Sequence, residues 1–354
     1  MNGKRKNVVL CYILFICLLL FTGCSMEEQP QNVSQQDRRI EEKGLEIHYI
    51  DVDQGSSALI EMDGHYMLVD AGEKDQGEVV VDYLKKENVS HLDYVVGTHP
   101  HSDHIGGMAY VLQNVEADNL LIPEKEHTTK AFENMLDAAE KNEMEVIIPK
   151  QGETYSLGDA SFTILSLNKD YEDELNNWSI VFQLKYKDTS FLFSGDAEEE
   201  AEHDICETGV NLKSDVYLVG HHGSHTSTSA EFLEAISPKY AVISCGVDNS
   251  YGHPKPQILT RLEEANIQIF RTDLQGSIVA YSDGKKITWN GEGASQEETS
   301  AQEERYILNT ATKKFHLPSC SSVDQTKEEN KKEFIGTREK LIEQGYESCK
   351  NCNP

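Results

Sequence analysis

The stretch Thr-His-Pro-His-Ser-Asp-His-Ile-Gly-Gly, residues 98–107, decides which fold and which chemistry this chain is expected to have. Its metal-capable side chains are His99, His101, Asp103 and His104. The apolar, β-prone run 92–97 lies just upstream, so we expect the cluster on a loop between a strand and a helix. In extended backbone, His99 and His101 project to one side. One loop can thus offer two imidazoles to one divalent ion, and a carboxylate plus an imidazole to a second, ligands that suit zinc or manganese.

Further motifs occur in order along the chain, most of them after an apolar run. They are Asp51-Val52-Asp53-Gln54-Gly55, Asp70-Ala71-Gly72, Ser194-Gly195-Asp196, Val219-Gly220-His221-His222-Gly223-Ser224 and Tyr251-Gly252-His253-Pro254. Together with the His-x-His-x-Asp-His loop, they make residues 45–290 resemble the metallo-β-lactamase superfamily. The His-His-Gly-Ser form and the opening motif look most like the extracellular hydrolase domain of the ComEC competence proteins. They are also similar to bacterial phosphorylcholine esterases.

The resemblance implies an αββα sandwich, an α/β fold of two similar halves with the metals where its two sheets meet. Hydrophobic periodicity agrees, because short β-like runs alternate with amphipathic segments through the middle of the chain. Residues 45–69 read as a meander with Asp63-Gly64 as a turn, and Gln76–Lys86 reads as a helix with one apolar face. A single helix is expected over Ile105–Gln113.

The resemblance also implies a ligand set for two ions. The first ion would be held by His99, His101 and Asp196, and the second by Asp103, His104 and His222. Asp196 ends an apolar strand and is the candidate bridging carboxylate, with an N-cap of the next helix as its alternative role. By position, either His221 or His222 could be a ligand, and the likeness to the phosphorylcholine esterases selects His222.

Three further side chains are given roles beside the metals. His221 would contact a substrate phosphate, and His253 would contact substrate or protonate a leaving group. Asp70 would orient a ligand histidine. With Asp103, His221 and His253 are the expected catalytic residues. A structural role for His221 and His253, and simple turn capping by Asp70, stay open as alternatives.

One departure from the family pattern concerns the first ion. Many members carry another histidine before the bridging aspartate, whereas this chain reads Asn176-Asn177-Trp178-Ser179 there. The ComEC-like group also lacks this histidine, so its absence indicates the subgroup rather than an inactive protein. Water would then complete the coordination of the first ion. Asp53 and Ser56 also depart from the subgroup's opening motif, which bears on substrate preference.

Composition and charge narrow the function. The chain has 354 residues, 61 acidic against 32 basic side chains and a formal charge of −29. Such a surface repels polyanions at long range and predicts no basic track for nucleic acid. A phosphodiesterase is still compatible, because metals at the site can supply local positive charge. With 38% hydrophobic residues in clear runs, the chain is expected to fold around a core.

The N-terminus reads as a targeting segment. Lys4, Arg5 and Lys6 precede an apolar run over residues 8–21, and Leu20-Phe21-Thr22-Gly23-Cys24 resembles a bacterial lipobox. We expect a signal peptide over 1–23, lipidation of Cys24, and a polar tether over 24–44. The mature protein would then be held at the extracellular face of the cell membrane. An uncleaved anchor or a plain secretory signal is the alternative.

The C-terminus predicts a small second module. A polar linker over 291–304 is followed by residues 305–354, which resemble the metal-binding module of the Ada DNA-repair protein. The candidate ligands of one structural zinc are His316, Cys320, Cys349 and Cys352. A Cys349–Cys352 or Cys320–Cys349 disulfide is the alternative outside the cell. A charged helix is expected over roughly Thr326–Gln344, and Cys206 and Cys245 are expected to be buried packing residues.

These observations predict a membrane-anchored two-metal hydrolase. The subgroup resemblance favours a phosphodiesterase that acts on DNA or a phosphorylated wall polymer through a hydroxide shared by zinc or manganese ions. A carboxylic ester, lactone or thioester hydrolase on the same fold is one alternative, and a non-catalytic binding lipoprotein is another. The sequence has no Gly-x-Ser-x-Gly motif, which argues against serine-type esterase chemistry.

Overall fold

A computed structural model describes residues 44–293, 304–318, 320–336, 338–349 and 352. The predicted signal peptide, Cys24 and the tether up to residue 43 lie outside these residues, as does most of the predicted linker. None of the helices in the described ranges is long and apolar enough to span a membrane.

The first large sheet holds eight strands of the described chain, in the order β15-β14-β1-β2-β3-β4-β5-β6. They are β1 Leu45–Tyr49, β2 Ala58–Met62, β3 His65–Val69, β4 His91–Val96, β5 Glu116–Leu121, β6 Glu145–Ile147, β14 Ile278–Ser282 and β15 Ile287–Trp289. Strands β3 to β6 run parallel to one another. In the other part of the sheet, from β15 to β3 in the order given, each strand pairs antiparallel with the next. The last two strands therefore complete the sheet that the first half of the chain begins.

The second large sheet has seven strands within the described ranges, in the order β13-β12-β11-β10-β9-β8-β7. They are β7 Thr154–Leu157, β8 Ala160–Ile164, β9 Phe182–Tyr186, β10 Thr189–Phe193, β11 Val216–Leu218, β12 Tyr240–Ile243 and β13 Gln268–Arg271. Strands β10 to β13 are parallel to one another.

Helices cover the outer face of each sheet. They are α1 Gly77–Lys86, α2 Ser102–Ile105, α3 Met108–Asn114, α4 Lys130–Lys141, α5 Glu199–Glu207, α6 Ala230–Ile236, α7 Pro256–Glu264 and α8 Thr272–Gln275. One apolar cluster, with Phe162, Phe182 and Phe193, lies between the two sheets. Two more clusters join the sheets to their helices, α1, α3 and α4 on the first and α5 to α7 on the second. The predicted αββα sandwich is therefore confirmed.

The parallel strands place the sequence motifs at one edge of the sandwich. Asp70 directly follows β3, and the His99–His104 loop follows β4. In the second sheet, Asp196 follows β10 and His222 follows β11. Because the carboxyl ends of parallel strands lie at the same edge of a sheet, motifs far apart in sequence meet there.

Two helix predictions are wrong in part. Ile105–Gln113 is not a single helix, because α2 ends at Ile105 and α3 begins at Met108. Gly106 and Gly107 fill the break, and a Cβ on Gly107 would lie 2.3 Å from the carbonyl oxygen of Ala71. The close approach of this neighbouring backbone, which the hydrophobic pattern does not encode, separates the two helices.

The C-terminal segment forms a third sheet instead of one long helix. Its strands are β16 Glu304–Asn309, β17 Lys314–His316, β18 Lys331–Gly336 and β19 Glu347–Ser348, and its helices are α9 Ser321–Asp324 and α10 Arg338–Glu343. The expected helix over Thr326–Gln344 is wrong up to residue 336, because β18 pairs along its whole length with β16. Helix propensity of Lys and Glu is a weak preference that such pairing overrides. The module has its own small apolar core around Phe315 and Leu341.

Candidate metal centre

Asp70 is the innermost residue of the centre. Its carboxylate accepts hydrogen bonds from the backbone N–H of Thr98 and from Thr98 Oγ1, each 2.9 Å long. It also lies 2.7 Å from Nδ1 of His104, the shortest of its contacts. Since Nδ1 is engaged, His104 can present only Nε2 to the centre. Asp70 is thus placed where its carboxylate can orient the imidazole of His104.

Four donors converge in front of Asp70. Single donor atoms of Asp103, His104, Asp196 and His222 all lie within 4.8 Å of one another. Nε2 of His104 lies 3.1 Å from Oδ1 of Asp196, and Nε2 of His222 lies 3.3 Å from Oδ2 of Asp103. His222 is oriented from behind, because its Nδ1 is 2.9 Å from the carbonyl oxygen of Ser244. The structure therefore brings together the whole set predicted for the second ion.

The converging atoms are left without hydrogen bonds. Nε2 of His104, Nε2 of His222 and Oδ1 of Asp196 are buried and have no hydrogen-bond partner in the described structure, although they lie close together. Burying polar atoms in this way is costly unless another partner is present. Two imidazoles and two carboxylates form a donor set that a divalent cation such as zinc or manganese would satisfy. The residues thus fit the metal that the resemblance implies.

The electrostatics of the centre favour positive charge between its carboxylates. Burial would raise the pKa of Asp196, but His104 and His222 hold that pKa well below its ordinary range. Burial would lower the pKa of His104, yet the carboxylates of Asp196 and Asp70 raise it well above that of a free histidine. Asp196 is therefore ionised, and a cation is stabilised next to it.

The donor atoms predicted to hold the first ion are less closely grouped than those predicted for the second ion. Nε2 of His99 lies 3.0 Å from Nδ1 of His101, so these two imidazoles contact each other. Nε2 of His99 is also 3.8 Å from Oδ2 of Asp196. Burial, together with the nearby His104, lowers the pKa of His99, and burial lowers that of His101. Both rings are thus neutral, as ligands must be.

His221 lies at the open side of the centre. Its Nε2 is 3.6 Å from Oδ2 of Asp196, and its Nδ1 is 3.4 Å from Oε1 of Glu198. Burial opposes protonation, but the hydrogen bond to Glu198 and the charge of Asp196 raise the pKa of His221. Its side chain is 23% exposed, so this imidazole can meet a ligand that enters from solvent.

His253 packs on the histidine pair from the loop before α7. Its ring centroid is 5.7 Å from that of His221 and 6.5 Å from that of His222. Burial, with the nearby His222 and Lys255, lowers the pKa of His253 to about 3. A neutral ring is suited to contact substrate and is poorly suited to protonate a leaving group at neutral pH. The geometry therefore favours the first of the two roles predicted for His253.

Several supporting residues are not evident in the sequence. Ser179 Oγ accepts the backbone N–H of Asp196 at 3.0 Å, and Asn177 Oδ1 accepts that of Glu198 at 3.0 Å. The stretch that replaces the family histidine thus positions the Asp196 loop. Glu198, rather than Asp196, is the residue before helix α5, so the N-cap alternative for Asp196 does not hold. In the sequence, the one sign of this supporting role is that Asn177 and Ser179 are polar residues close to the end of a strand.

The C-terminal module holds a second cluster of donors. One donor atom each from His316, Cys320, Cys349 and Cys352 lies within 4.8 Å of the others. Both ring nitrogens of His316 are buried without a hydrogen-bond partner in this part of the described chain. Burial opposes ionisation of Cys320, but the neighbouring Cys352 and His316 side chains lower its pKa to about 6. This set suits the tetrahedral zinc that the sequence predicted.

The disulfide alternatives are not formed. Among the described residues, no disulfide joins any two of Cys206, Cys245, Cys320, Cys349 and Cys352. Cys245 is buried as expected, whereas Cys206 on α5 is only half-buried, because the outer side of that helix faces solvent.

Comparison with known proteins gives a family and several relatives. The family model described as the metallo-beta-lactamase superfamily matches residues 50–247. The "ComE operon protein 3" of Bacillus subtilis (strain 168) is 32% identical over 251 residues, which are 66% of this chain and 32% of that protein. The "Competence protein ComA" of Neisseria gonorrhoeae is 30% identical over 248 residues, 70% of this chain and 33% of that protein. The chain thus spans about a third of the length of these relatives.

One of the solved structures to which the chain is similar is the metallo-beta-lactamase fold protein YhfI from Bacillus subtilis. It is 11% identical in sequence, with a TM-score of 0.47, and the match covers 70% of this chain and 100% of that chain.

Proposed function

Because this chain belongs to the metallo-β-lactamase superfamily, we propose that it is a metal-dependent hydrolase that cleaves phosphodiester bonds in DNA or in a phosphorylated wall polymer. The observation that carries the proposal is the set of buried, unpaired donor atoms on His104, His222 and Asp196. Three polar atoms without partners are destabilising in a structural core. They are expected where a cation binds.

The donors divide into those that hold ions and those that act beside them. Asp103, His104, Asp196 and His222 would hold one divalent ion, and His99 and His101 with Asp196 would hold a second, more weakly. Bound divalent ions supply Lewis-acid polarisation of a phosphoryl oxygen and lower the pKa of water. Asp70 and the carbonyl of Ser244 hold the Nε2 atoms of their histidines toward the centre.

The two remaining histidines would act on the substrate. The contact with Glu198 raises the pKa of His221, which favours its protonated form, and the ring is partly exposed, so it can bind a phosphate oxygen. His253 is neutral and its ring lies against those of His221 and His222, so it would contact the substrate beside them. Neither residue needs to exchange a proton in these roles.

The choice of phosphodiester over carboxylic ester rests on the relatives. One of them is named a competence protein, and the match covers the part of this chain that carries the centre. Export and anchoring through Cys24 at the outer face of the membrane belong to the same proposal, and would place the site where extracellular DNA or wall polymer is found. The structural zinc of the C-terminal module is also proposed.

The test is hydrolysis of bis-p-nitrophenyl phosphate by the full chain loaded with manganese or zinc, with linear DNA and a lactone in parallel. Asp196→Asn removes the charge at the centre and should lower kcat by at least about a hundredfold, since metal-assisted charge stabilisation supplies several kcal/mol. Asp188→Asn is the matched control, because Asp188 is exposed at the other end of strand β10.

The outcomes of this experiment distinguish the candidate functions. Diester turnover that is lost in Asp196→Asn and kept in Asp188→Asn supports the proposal. Lactone opening without diester cleavage would assign the chain to the ester hydrolases. Equal diester turnover in both variants would show that the active site is not at Asp196. If the metal-loaded protein hydrolyses none of the substrates, a binding lipoprotein is favoured.

A further inference from the structure

Next to the metal centre, three aromatic rings form a stack that ends at the surface. The rings of His222 and His253 lie 6.5 Å apart at 24°, and those of His253 and Tyr251 lie 5.7 Å apart at 23°. His222 is a ligand candidate and is buried, whereas Tyr251 is 61% exposed. The stack therefore leads from the centre to a tyrosine ring that solvent can reach.

The loop that carries Tyr251 is firmly held. Asn249 Oδ1 accepts the backbone N–H of His253 at 2.9 Å, and its Nδ2 donates to the carbonyl oxygens of Gly246 and His253. Lys255 Nζ donates to the carbonyl oxygen of Tyr251 at 2.6 Å. The exposed ring is thus presented by an ordered turn, and a ligand that binds to it loses little additional loop entropy.

The turn that carries this ring exposes apolar side chains among polar ones. Val247 is 64% exposed and Tyr251 is 61% exposed, while Asp248 and Ser250 of the same turn are exposed with them. Exposed apolar groups that border a site of charged residues are a common mark of ligand contact. A ligand that fits would combine an anionic group for the centre with a flat apolar group for Tyr251.

We propose that Tyr251 is a stacking platform for a nucleobase that flanks the scissile phosphodiester, so that the substrate is a single-stranded nucleic acid. The inference rests on the proposed phosphodiesterase function and narrows its substrate class. Stacking on one aromatic face is how proteins hold unpaired bases without reading their sequence.

Other ligands of aromatic side chains match less well. A quaternary ammonium group is bound by an aromatic cage of several rings, whereas here one tyrosine is stacked in a row with two imidazoles. A sugar–phosphate or polyol–phosphate wall polymer has no π face to place on the ring. Tyr251 therefore favours nucleic acid over wall polymer within the proposed function.

The experiment compares two oligomers with the same phosphodiester backbone, an oligothymidylate and its abasic counterpart. The full chain is loaded with manganese, and kcat/KM is measured for both oligomers. We expect the wild type to prefer the oligothymidylate by roughly tenfold, within the range of one base–aromatic stack. In Tyr251→Ala the ratio of the two values should fall to about one, mainly through KM.

Three further variants define the role of the ring. Tyr251→Phe and Tyr251→Trp keep an aromatic face and should keep the preference for oligothymidylate. Tyr110→Ala removes another exposed tyrosine, 41% exposed on α3, and should leave the ratio as in the wild type. A preference that is lost in Tyr251→Phe as well would assign the effect to the hydroxyl and overturn the stacking role.

The outcomes separate this inference from the proposed function. If the wild type cleaves both oligomers equally, or if Tyr251→Ala keeps the preference, the inference is wrong although the phosphodiesterase function stands. If the wild type cleaves neither, the function fails, and fluorescence anisotropy with labelled oligothymidylate decides the inference. Binding that weakens in Tyr251→Ala would then support it, and binding independent of Tyr251 would overturn it.

Discussion

At the scale of single residues, the centre depends on backbone conformations that most side chains avoid. Asp70, His221 and His222 all have positive φ, at 59°, 53° and 55°. Left-handed residues other than glycine are uncommon, with Asn, Asp and His enriched among them, and such strain concentrates at functional sites. In this chain the left-handed turns aim the three side chains from the strand ends into the space between the sheets.

Asp70→Asn tests whether the buried carboxylate orients His104. An amide offers one acceptor oxygen where the carboxylate offers two, so it cannot accept from both Thr98 and His104 without turning an N–H toward one of them. The metal concentration needed for half-maximal activity should rise by about 10- to 100-fold.

The matched control is Asp63→Asn, because Asp63 also has positive φ and lies in the exposed turn between β2 and β3. Asparagine tolerates the left-handed region, so backbone strain is the same in both variants. If the metal concentration needed for half-maximal activity is the same in the two variants, Asp70 does not orient His104.

At the scale of elements, the break between α2 and α3 sets the position of His104. The turn at Gly106 and Gly107 lets α3 pack closely on α1, and the backbone N–H of Gly107 donates to the carbonyl oxygen of Gly72 at 3.0 Å. The N–H of Ala71 donates to the carbonyl oxygen of His104 at 2.7 Å. The Asp70 turn and the histidine loop are thus connected by backbone hydrogen bonds.

Gly107→Ala should therefore destabilise the domain. The added Cβ would lie 2.3 Å from the carbonyl oxygen of Ala71 and 2.8 Å from the backbone of Gly77, and neither neighbour is a flexible side-chain end. We expect a loss of about 2 kcal/mol or more in the free energy of unfolding, measured by denaturant titration.

Gly291→Ala is the control for this prediction, because a Cβ there meets nothing within 4 Å. It should unfold at the denaturant midpoint of the wild type. Similar midpoints for the two glycine variants would show that α1 and α3 tolerate a wider separation than the structure has.

At the scale of the whole molecule, the two clusters of metal-donor side chains differ in how much apolar core surrounds them. The candidate metal centre joins loops of two large sheets that are already stabilised by an extensive core. The C-terminal module has a core of a few side chains around Phe315, so the His316 cluster has to stabilise it. Small modules of this kind commonly need a metal or disulfides to fold.

Cys349→Ser should accordingly remove one zinc ion per chain and unfold the C-terminal module, because metal binding and folding are coupled in small zinc sites. Zinc content by mass spectrometry and proteolysis of residues 305–354 measure the two effects. Cys206→Ser, at a half-buried cysteine of α5 away from the cluster, should leave zinc content unchanged. Equal zinc content in both variants would refute the structural zinc site.

The sequence by itself determined the αββα sandwich, the strands that precede each motif and the residue types that gather at the centre. The strands follow from hydrophobic periodicity, which is a local property of the chain, whereas the sandwich follows from the family resemblance that the ordered motifs carry. It also identified His316, Cys320, Cys349 and Cys352 as one group, since the chemistry of these side chains suits zinc wherever they meet.

Only the tertiary structure decided how the donors face one another. Nε2 of His222 lies 3.3 Å from Oδ2 of Asp103 while Ser244 holds its Nδ1, and Nε2 of His99 lies 3.0 Å from Nδ1 of His101. The break at Gly106 and Gly107, the strand Lys331–Gly336 and the stack that ends at Tyr251 were likewise not predicted. Each depends on contacts between segments distant in sequence, and such contacts leave no periodic trace in the chain itself.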